Sequence, residues 1–247
     1  MPSERKIALE IFNRLERQGP GDEDCTRKAL HMIPSLPTNS RVLDIGCGTG
    51  GQTLTLAEEL AGSITALDYM PEHLETLKRN MAGRKLRASI VTQTGSMFDM
   101  DFSKESFDLI WSEGAIYIIG FRRGLHEWQH LVKAGGYMVV SHLSWLADKV
   151  PRTLRDFWMN DTEVLTVREN VNVIQSEGLK PLSHFPMSSK GWWENYYMPI
   201  QRLIEQIRKD ELTDGEKEDI ANLQKEIDIY KEFHSFYGYV FYLMQKS

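Results

Sequence analysis

A doubly wound α/β sheet with helices on both faces is the fold class this sequence predicts. Three observations carry the prediction. Short apolar runs of strand length alternate with stretches of helical periodicity from "RVLDI" (41–45) onward. A cluster of glycines interrupts the chain where the first of these runs meets its helix. The run "FYGYVFYLM" (236–244) is apolar on both faces, as a strand in the middle of a sheet must be.

The elements follow in order. Ile7, Ile11 and Leu15 recur at helical spacing, and Gly19-Pro20-Gly21 breaks that helix. Asp22 or Asp24 caps a second helix that ends before Pro34. "RVLDI" is the first strand, "QTLTLAEELA" (52–61) the helix after it, and Gly62 its terminator. "SITALD" (63–68) is the second strand, and Pro71 opens the next helix at a position where its missing N–H costs nothing. Strands within "LRASIVTQTG" and "FDLIWSEG" (107–114) follow. "RGLHEWQHLVK" reads as a helix ended by Gly135-Gly136, and "YMVVSHLS" as the fifth strand.

Beyond Trp145 the texture changes. Pro151 to Val173 reads as one helix and "LKPLSHFPM" as a sixth strand. The charge-rich stretch 189–233 carries two apolar stripes, one through Ile200, Leu203, Ile204 and Ile207, the other through Ile220, Leu223, Ile227 and Tyr230. The organisation is one domain over 1–247: N-terminal helices (1–35), a ligand-binding core (36–145), a helical elaboration (146–235) with the insertion 189–233, and a last core strand (236–247).

Composition narrows the function classes. At 41% hydrophobic and 26% charged residues the chain is an ordinary folded protein. A net charge of −6 disfavours nucleic acid as a partner, because phosphate neutralisation needs clustered Lys and Arg. Cys25 and Cys47 build neither a disulfide framework nor a zinc cluster, and no other metal-ligand spacing appears. The mixed, charged "MPSERKIALEIF" is unlike a secretory signal, and no apolar run nears the roughly 20 residues of a membrane span. A cytoplasmic location is the expectation.

The glycine turn "VLDIGCGTGGQT" (42–53) fits two ligand registers. Gly46, Gly48 and Gly51 satisfy G-x-G-x-x-G, and Gly46, Gly48 and Gly50 satisfy G-x-G-x-G. Either gives a tight turn with no Cβ where a ligand meets the backbone. Asp44, two residues before the turn, would repel a pyrophosphate and favour a cationic ligand. Asp68, closing the second strand, suits the two hydroxyls of a ribose, and also suits a helix cap before Pro71.

"VLDIGCGTG" followed at the right interval by "ALD" resembles the class I S-adenosylmethionine-dependent methyltransferases, and so does "LVKAGGYMVVS" (131–141), with Ala134 where that family usually has proline. The likeness extends over about 22–145, is of the small-molecule kind that includes quinone C-methyltransferases and glycine/sarcosine-type N-methyltransferases, and implies a Rossmann-like sheet with an antiparallel last strand. It further implies S-adenosylmethionine as cofactor. Gly46, Cys47, Gly48 and Gly50 would border its methionine and ribose, Asp44 its amino group, Asp68 the ribose hydroxyls and Tyr69 the adenine. Ser96, where the family favours an acid, and Met97 would flank the adenine, while Ser112, Glu113 and Tyr117 would border the methyl group and the acceptor.

Methyl transfer from a sulfonium is a direct displacement that mainly needs alignment, with a base only where the nucleophile is protonated. His142, Glu113 and Tyr117 are the candidates for that role, whereas His126 and His130 share a helix face away from the ligand edge. "GWWENYYMPI" (191–200) is expected to shape specificity. At helical spacing Trp192 pairs with Tyr196 and Trp193 with Tyr197, enough aromatic surface to wall a pocket for a small-molecule acceptor or to pair with a second copy of the chain. Competing readings are an NAD(P)-dependent oxidoreductase, from the alternative glycine register, and a cofactor-binding regulator without catalysis.

Overall fold

The computed structural model describes residues 7–158, 163–207 and 212–247. Its sheet runs through β1 (Ser40–Ile45), β2 (Gly62–Asp68), β3 (Ala88–Thr94), β4 (Phe107–Ser112), β5 (Val132–Trp145), a two-residue β6 (Leu165–Thr166), β7 (Leu179–Pro186) and β8 (Tyr237–Lys246). The spatial order is β3-β2-β1-β4-β5-β8-β7, with β6 beside β5. Strands β1 to β6 pair in parallel, and β8 runs antiparallel between β5 and β7. This is the mixed, doubly wound sheet expected from the sequence, and its order reverses between β1 and β4, where such sheets open a ligand crevice.

Period-two alternation distributes the core over both faces of the sheet. Val42, Ile64, Leu109 and Val139 pack with the N-terminal helices α1 (Ile7–Arg14) and α2 (Glu23–His31) and with the 189–233 elaboration. Their neighbours Leu43, Ile110, Met138 and Val140 pack on the opposite side, under α5 (Phe121–Trp128) and α7 (Val167–Ser176). In chain order α3 (Gly51–Glu59) and α4 (Pro71–Asn80) come between α2 and α5, and α6 (Arg152–Trp158) between α5 and α7. Asp22 is the cap of α2, accepting the Asp24 N–H at 3.1 Å.

Two boundaries differ from the sequence expectation. The helix read over 123–133 ends at Trp128, and β5 begins at Val132, ahead of the glycine pair. Gly135 (φ +76°) and Gly136 instead absorb a register slip: β4 pairs Phe107 with Val132 but Leu109 with Tyr137. The single helix read from Pro151 to Val173 is two, with β6 between them and 159–162 outside the described residues. Thr166 and Glu169 form a reciprocal capping box that starts α7 afresh.

The elaboration holds α8 (Ser189–Trp192), a π-turn (Trp193–Tyr197), α9 (Met198–Ile207) and α10 (Asp214–Phe233). The π-turn corrects the expected aromatic pairing. It spans five residues per hydrogen bond, so Trp192 meets Tyr197 at 6.0 Å between rings, and Tyr196 stacks on Phe12 of α1 at 6.5 Å. No helix among the described residues is long and apolar enough to cross a membrane.

Candidate functional site

A cavity of about 520 Å³ opens at the carboxyl ends of β1, β2 and β4. Its floor is the glycine turn. Gly46 (φ +73°) and Gly48 (φ +54°) are left-handed, and a Cβ on Gly46 would stand 2.5 Å from the Ala115 side chain. Gly46 and Cys47 both donate their N–H groups to the Leu67 carbonyl, at 2.8 and 3.0 Å, which ties the turn to β2. Cys47 lines the cavity through its backbone while its buried thiol, raised by desolvation, points to the Gly48 carbonyl.

One wall is the end of β2. Asp68 accepts the Gly48 N–H at 2.8 Å on one oxygen and the Met70 N–H at 2.9 Å on the other, with His73 Nδ1 3.3 Å away. Burial raises its pKa, but the His73, Met70 and Gly48 hydrogen bonds outweigh that and hold it below the usual carboxylate range. Tyr69 continues this wall, 74% exposed at the mouth. The opposite flank is the 95–98 segment, where Ser96 Oγ accepts the Phe98 N–H and the Met97 carbonyl is held by Trp128 Nε1 at 3.1 Å.

The far end is built by the segment after β4. Tyr117 and Ile118 are exposed at its rim, and Glu113 lies at its base. Glu113 accepts from Thr26 Oγ1 at 2.7 Å and from Trp111 Nε1 at 2.8 Å, both on Oε1, while Oε2 has no hydrogen-bond partner. Burial raises its pKa, and the charge of Arg17 opposes the rise.

Sequence reasoning missed the remaining wall. Residues 16–20, between α1 and α2, cross the glycine turn as a strap: Gln18 Oε1 accepts the Thr49 N–H at 3.2 Å, and Thr49 Oγ1 donates to the Glu16 carbonyl at 2.5 Å. The strap brings Arg17 and Gln18 into the cavity. His73, Met70 and Phe98 also line it unforeseen. The capping signals around Pro71 placed His73 on a first helical turn, where it comes within reach of Asp68.

Several expected contacts lie elsewhere. Asp44 is fully buried behind the turn, accepting from Thr53 Oγ1 at 2.5 Å and Gln52 Nε2 at 3.3 Å, so it touches the cavity only through Gln52. Desolvation raises its pKa to about 7. Ser112 is likewise buried, donating to the Ile45 carbonyl at 2.9 Å. Gly50 starts α3 against Leu77, and its φ of +93° serves that packing and not the cavity wall. His142 lines a separate cavity of about 380 Å³ that shares Tyr117 and Ile118 with the first. It stacks on Phe121 at 4.7 Å, and burial lowers its pKa to about 4. Trp192, Trp193, Tyr196 and Tyr197 do not line the main cavity. Trp192, Tyr196 and Tyr197 are core residues, and Trp193 stacks on Tyr230 at 6.5 Å between rings.

The geometry accommodates a nucleoside with a charged, flexible appendage. A Cβ-free floor, a carboxylate at the end of β2 and a pair of unsatisfied charged groups at one end fit S-adenosylmethionine in size and polarity.

Comparisons with known proteins agree. Residues 42–136 match the model of a methyltransferase domain. The chain is 31% identical over 126 residues to the ubiquinone/menaquinone biosynthesis C-methyltransferase of Geotalea daltonii, covering 50% of this chain and 53% of that one. It is 28% identical over 108 residues to the sarcosine/dimethylglycine N-methyltransferase of Aphanothece halophytica, covering 43% and 39%. The chain thus spans about half or less of these relatives' lengths. Among solved structures, a methyltransferase from Thiobacillus denitrificans in complex with S-adenosylhomocysteine aligns over 100% of both chains at a TM-score of 0.77 and 17% identity, which shows a shared fold. Sheet order, glycine turn and domain match together make the chain similar to the class I S-adenosylmethionine-dependent methyltransferases, in sequence over its sheet core and in fold over its length.

Proposed function

We propose that this protein transfers a methyl group from S-adenosylmethionine to a small-molecule acceptor by direct in-line displacement. The observation that carries the reading is the convergence of the Gly46–Gly48 floor, the Asp68 wall and the 113–118 segment on one cavity at the sheet's switch point. The sulfonium supplies an activated methyl group, so the chain's task is alignment. Asp68, with His73 beside it, binds the ribose hydroxyls. Tyr69, Ser96 and Met97 enclose the adenine, and the backbone of Gly46, Cys47 and Gly48 borders the rest of the donor. Tyr117 and Ile118 form the rim on which the acceptor rests.

Proton transfer is not demanded of His142. A buried imidazole with a pKa of about 4 is a weak acceptor at neutral pH. The aromatic residues 192–197 support the acceptor end from behind, through the Trp192–Tyr239 contact at 4.9 Å, with Tyr239 lying against Gly114 of the cavity. We assign the protein to the cytoplasm and to small-molecule work, a reading its net charge of −6 supports against nucleic acid. Core 36–145 and elaboration 146–235 act as one unit in it.

Calorimetric titration with S-adenosylmethionine tests the donor, and absence of binding at millimolar ligand would sink the reading. A mass-spectrometric screen of candidate acceptors for the gain of one methyl group tests the transfer and identifies whether carbon, nitrogen or oxygen receives it.

A further inference from the structure

The cavity of about 380 Å³ that His142 lines lies beside the first and meets it only at Tyr117 and Ile118. Those two side chains are 44% and 52% exposed and form the partition between the cavities. Beyond the partition the walls are mostly apolar, from Ile119 and Phe121 on one side and from Leu165 and Val173 on the other. The alternation of β5 turns His142 to this side of the sheet, the side on which Val140 packs under α5 and α7.

The imidazole is held but incomplete. It stacks on Phe121, with 4.7 Å between ring centres and 12° between planes, and is 2% exposed. The backbone of Glu163 accepts a hydrogen bond from the ring, whereas Nδ1 is a buried atom with no partner. The ring proton therefore belongs on Nε2, and Nδ1 keeps a lone pair. Burial lowers the pKa to about 4, so the ring stays neutral at neutral pH. A buried acceptor without a donor is costly in a finished core and useful in a binding site.

The charges nearby narrow what could supply the donor. Arg122, which lines the same cavity, donates to Glu177 Oε1 at 2.6 Å and to Ser176 Oγ at 2.9 Å. An anion would have to compete with that pair, and the exposed Glu163 would repel it. An ammonium would lose its water beside apolar walls with no buried carboxylate to receive it. A hydroxyl carried on an apolar body meets neither obstacle.

We propose that this cavity is a second small-molecule site, for a neutral apolar group bearing a hydroxyl, and that His142 Nδ1 accepts from that hydroxyl once the lining side chains part to admit it. His142 acts there as a hydrogen-bond acceptor and not as a base. The inference goes beyond the methyl-donor reading and stands without it. One chemistry covers two sources, the far end of an acceptor that crosses Tyr117 and Ile118, or a separate ligand.

Calorimetry on the full chain, with and without S-adenosylhomocysteine, tests it using 2-naphthol, naphthalene and 2-naphthoate. 2-Naphthol should bind about ten-fold tighter than naphthalene, 2-naphthoate should not bind, and S-adenosylhomocysteine should displace neither neutral probe. His142→Phe keeps an aromatic ring against Phe121 and removes the acceptor, so it should bring 2-naphthol to the affinity of naphthalene. Side-chain nitrogen NMR of the wild-type chain gives a readout that needs no variant: the His142 Nδ1 resonance should move upfield with 2-naphthol and stay in place with naphthalene. Equal affinities for 2-naphthol and naphthalene, or an Nδ1 resonance that ignores 2-naphthol, would overturn the proposal. So would a 2-naphthol that S-adenosylhomocysteine displaces and that binds His142→Phe as tightly as wild type, since it would then occupy the first cavity. Inhibition of turnover by 2-naphthol that is competitive with the acceptor would make the occupant the acceptor's own far end, and any other pattern a separate ligand. Failure of S-adenosylhomocysteine to bind would count against the methyl-donor reading and leave the 2-naphthol measurements intact.

Discussion

The Asp68 carboxylate and the Gly48 backbone N–H lie 2.8 Å apart, so the end of β2 and the glycine turn after β1 are locked together. The bond leaves Asp68 a double place, fixing the turn and lining the cavity where the proposed donor would sit. Asp68→Ala removes both, and Asp68→Asn turns an acceptor into a donor toward Gly48, Met70 or His73. Loss of charge-assisted hydrogen bonds at a site of this burial corresponds to about a 10- to 100-fold weaker affinity for S-adenosylmethionine. Both variants should show it by calorimetry while remaining folded by circular dichroism.

Asp44 and His142 oppose each other in the pH dependence of stability. Asp44, at about 7 in the fold against an ordinary 3.8, binds more protons folded than unfolded across that window, so it makes the protein less stable as pH rises through it. His142, at about 4 against an ordinary 6.5, binds fewer protons folded than unfolded, so it makes the protein more stable as pH rises from about 4 to 6.5. Relative to wild type, Asp44→Asn should gain melting temperature with rising pH between about 4 and 7. His142→Phe should gain it toward acid. Thermal melts at half-unit pH steps read both slopes.

Gly46→Ala puts a Cβ at 2.5 Å from the Ala115 side chain on a residue with φ +73°. The left-handed backbone alone costs an alanine about 1–2 kcal/mol, and the methyl group projects toward the 113–117 segment that borders the cavity. The expected result is a destabilised protein with no measurable S-adenosylmethionine binding, read by urea denaturation and by calorimetry at low temperature.

Trp192 is 4% exposed and packs between Tyr230, at 5.4 Å, and Tyr239, at 4.9 Å. Trp192→Ala should cost about 3–5 kcal/mol through the cavity it leaves. Because the indole N–H has no partner, Trp192→Phe should lose far less. A denaturant series on the two variants separates lost volume from lost hydrogen bonding.

The periodic features were legible. Strand-length apolar runs located β1, β2 and β4, the two-sided apolar run located β8 inside the sheet, and the interval from the glycine turn to Asp68 marked two residues that line one cavity. These are local patterns that the fold preserves. Arg17 was not legible, because "NRLERQG" reads as a charged solvent-facing end of a helix and nothing local shows that it doubles back onto Gly51. Gly21 and Gly51, against which Arg17 lies, were already accounted for as a helix breaker and as part of the glycine turn. Asp44 was legible as a carboxylate beside the glycine turn and illegible in its direction, since the pleat of β1 turns it toward Thr53 and Gln52. The aromatic residues of 192–197 misled for a geometric reason: a π-turn replaces the helical period on which their pairing was read.

Strand β8 separates β5 from β7, and β7 pairs along its length with β8 alone. Everything from α8 to α10 lies between those two strands in the chain. During synthesis β7 therefore waits, with both edges unpaired, until some fifty further residues have emerged. An open strand edge recruits other chains as readily as its own, so the yield of active protein should depend on elongation rate and chaperone supply across that stretch more than on any contact in the finished cavity.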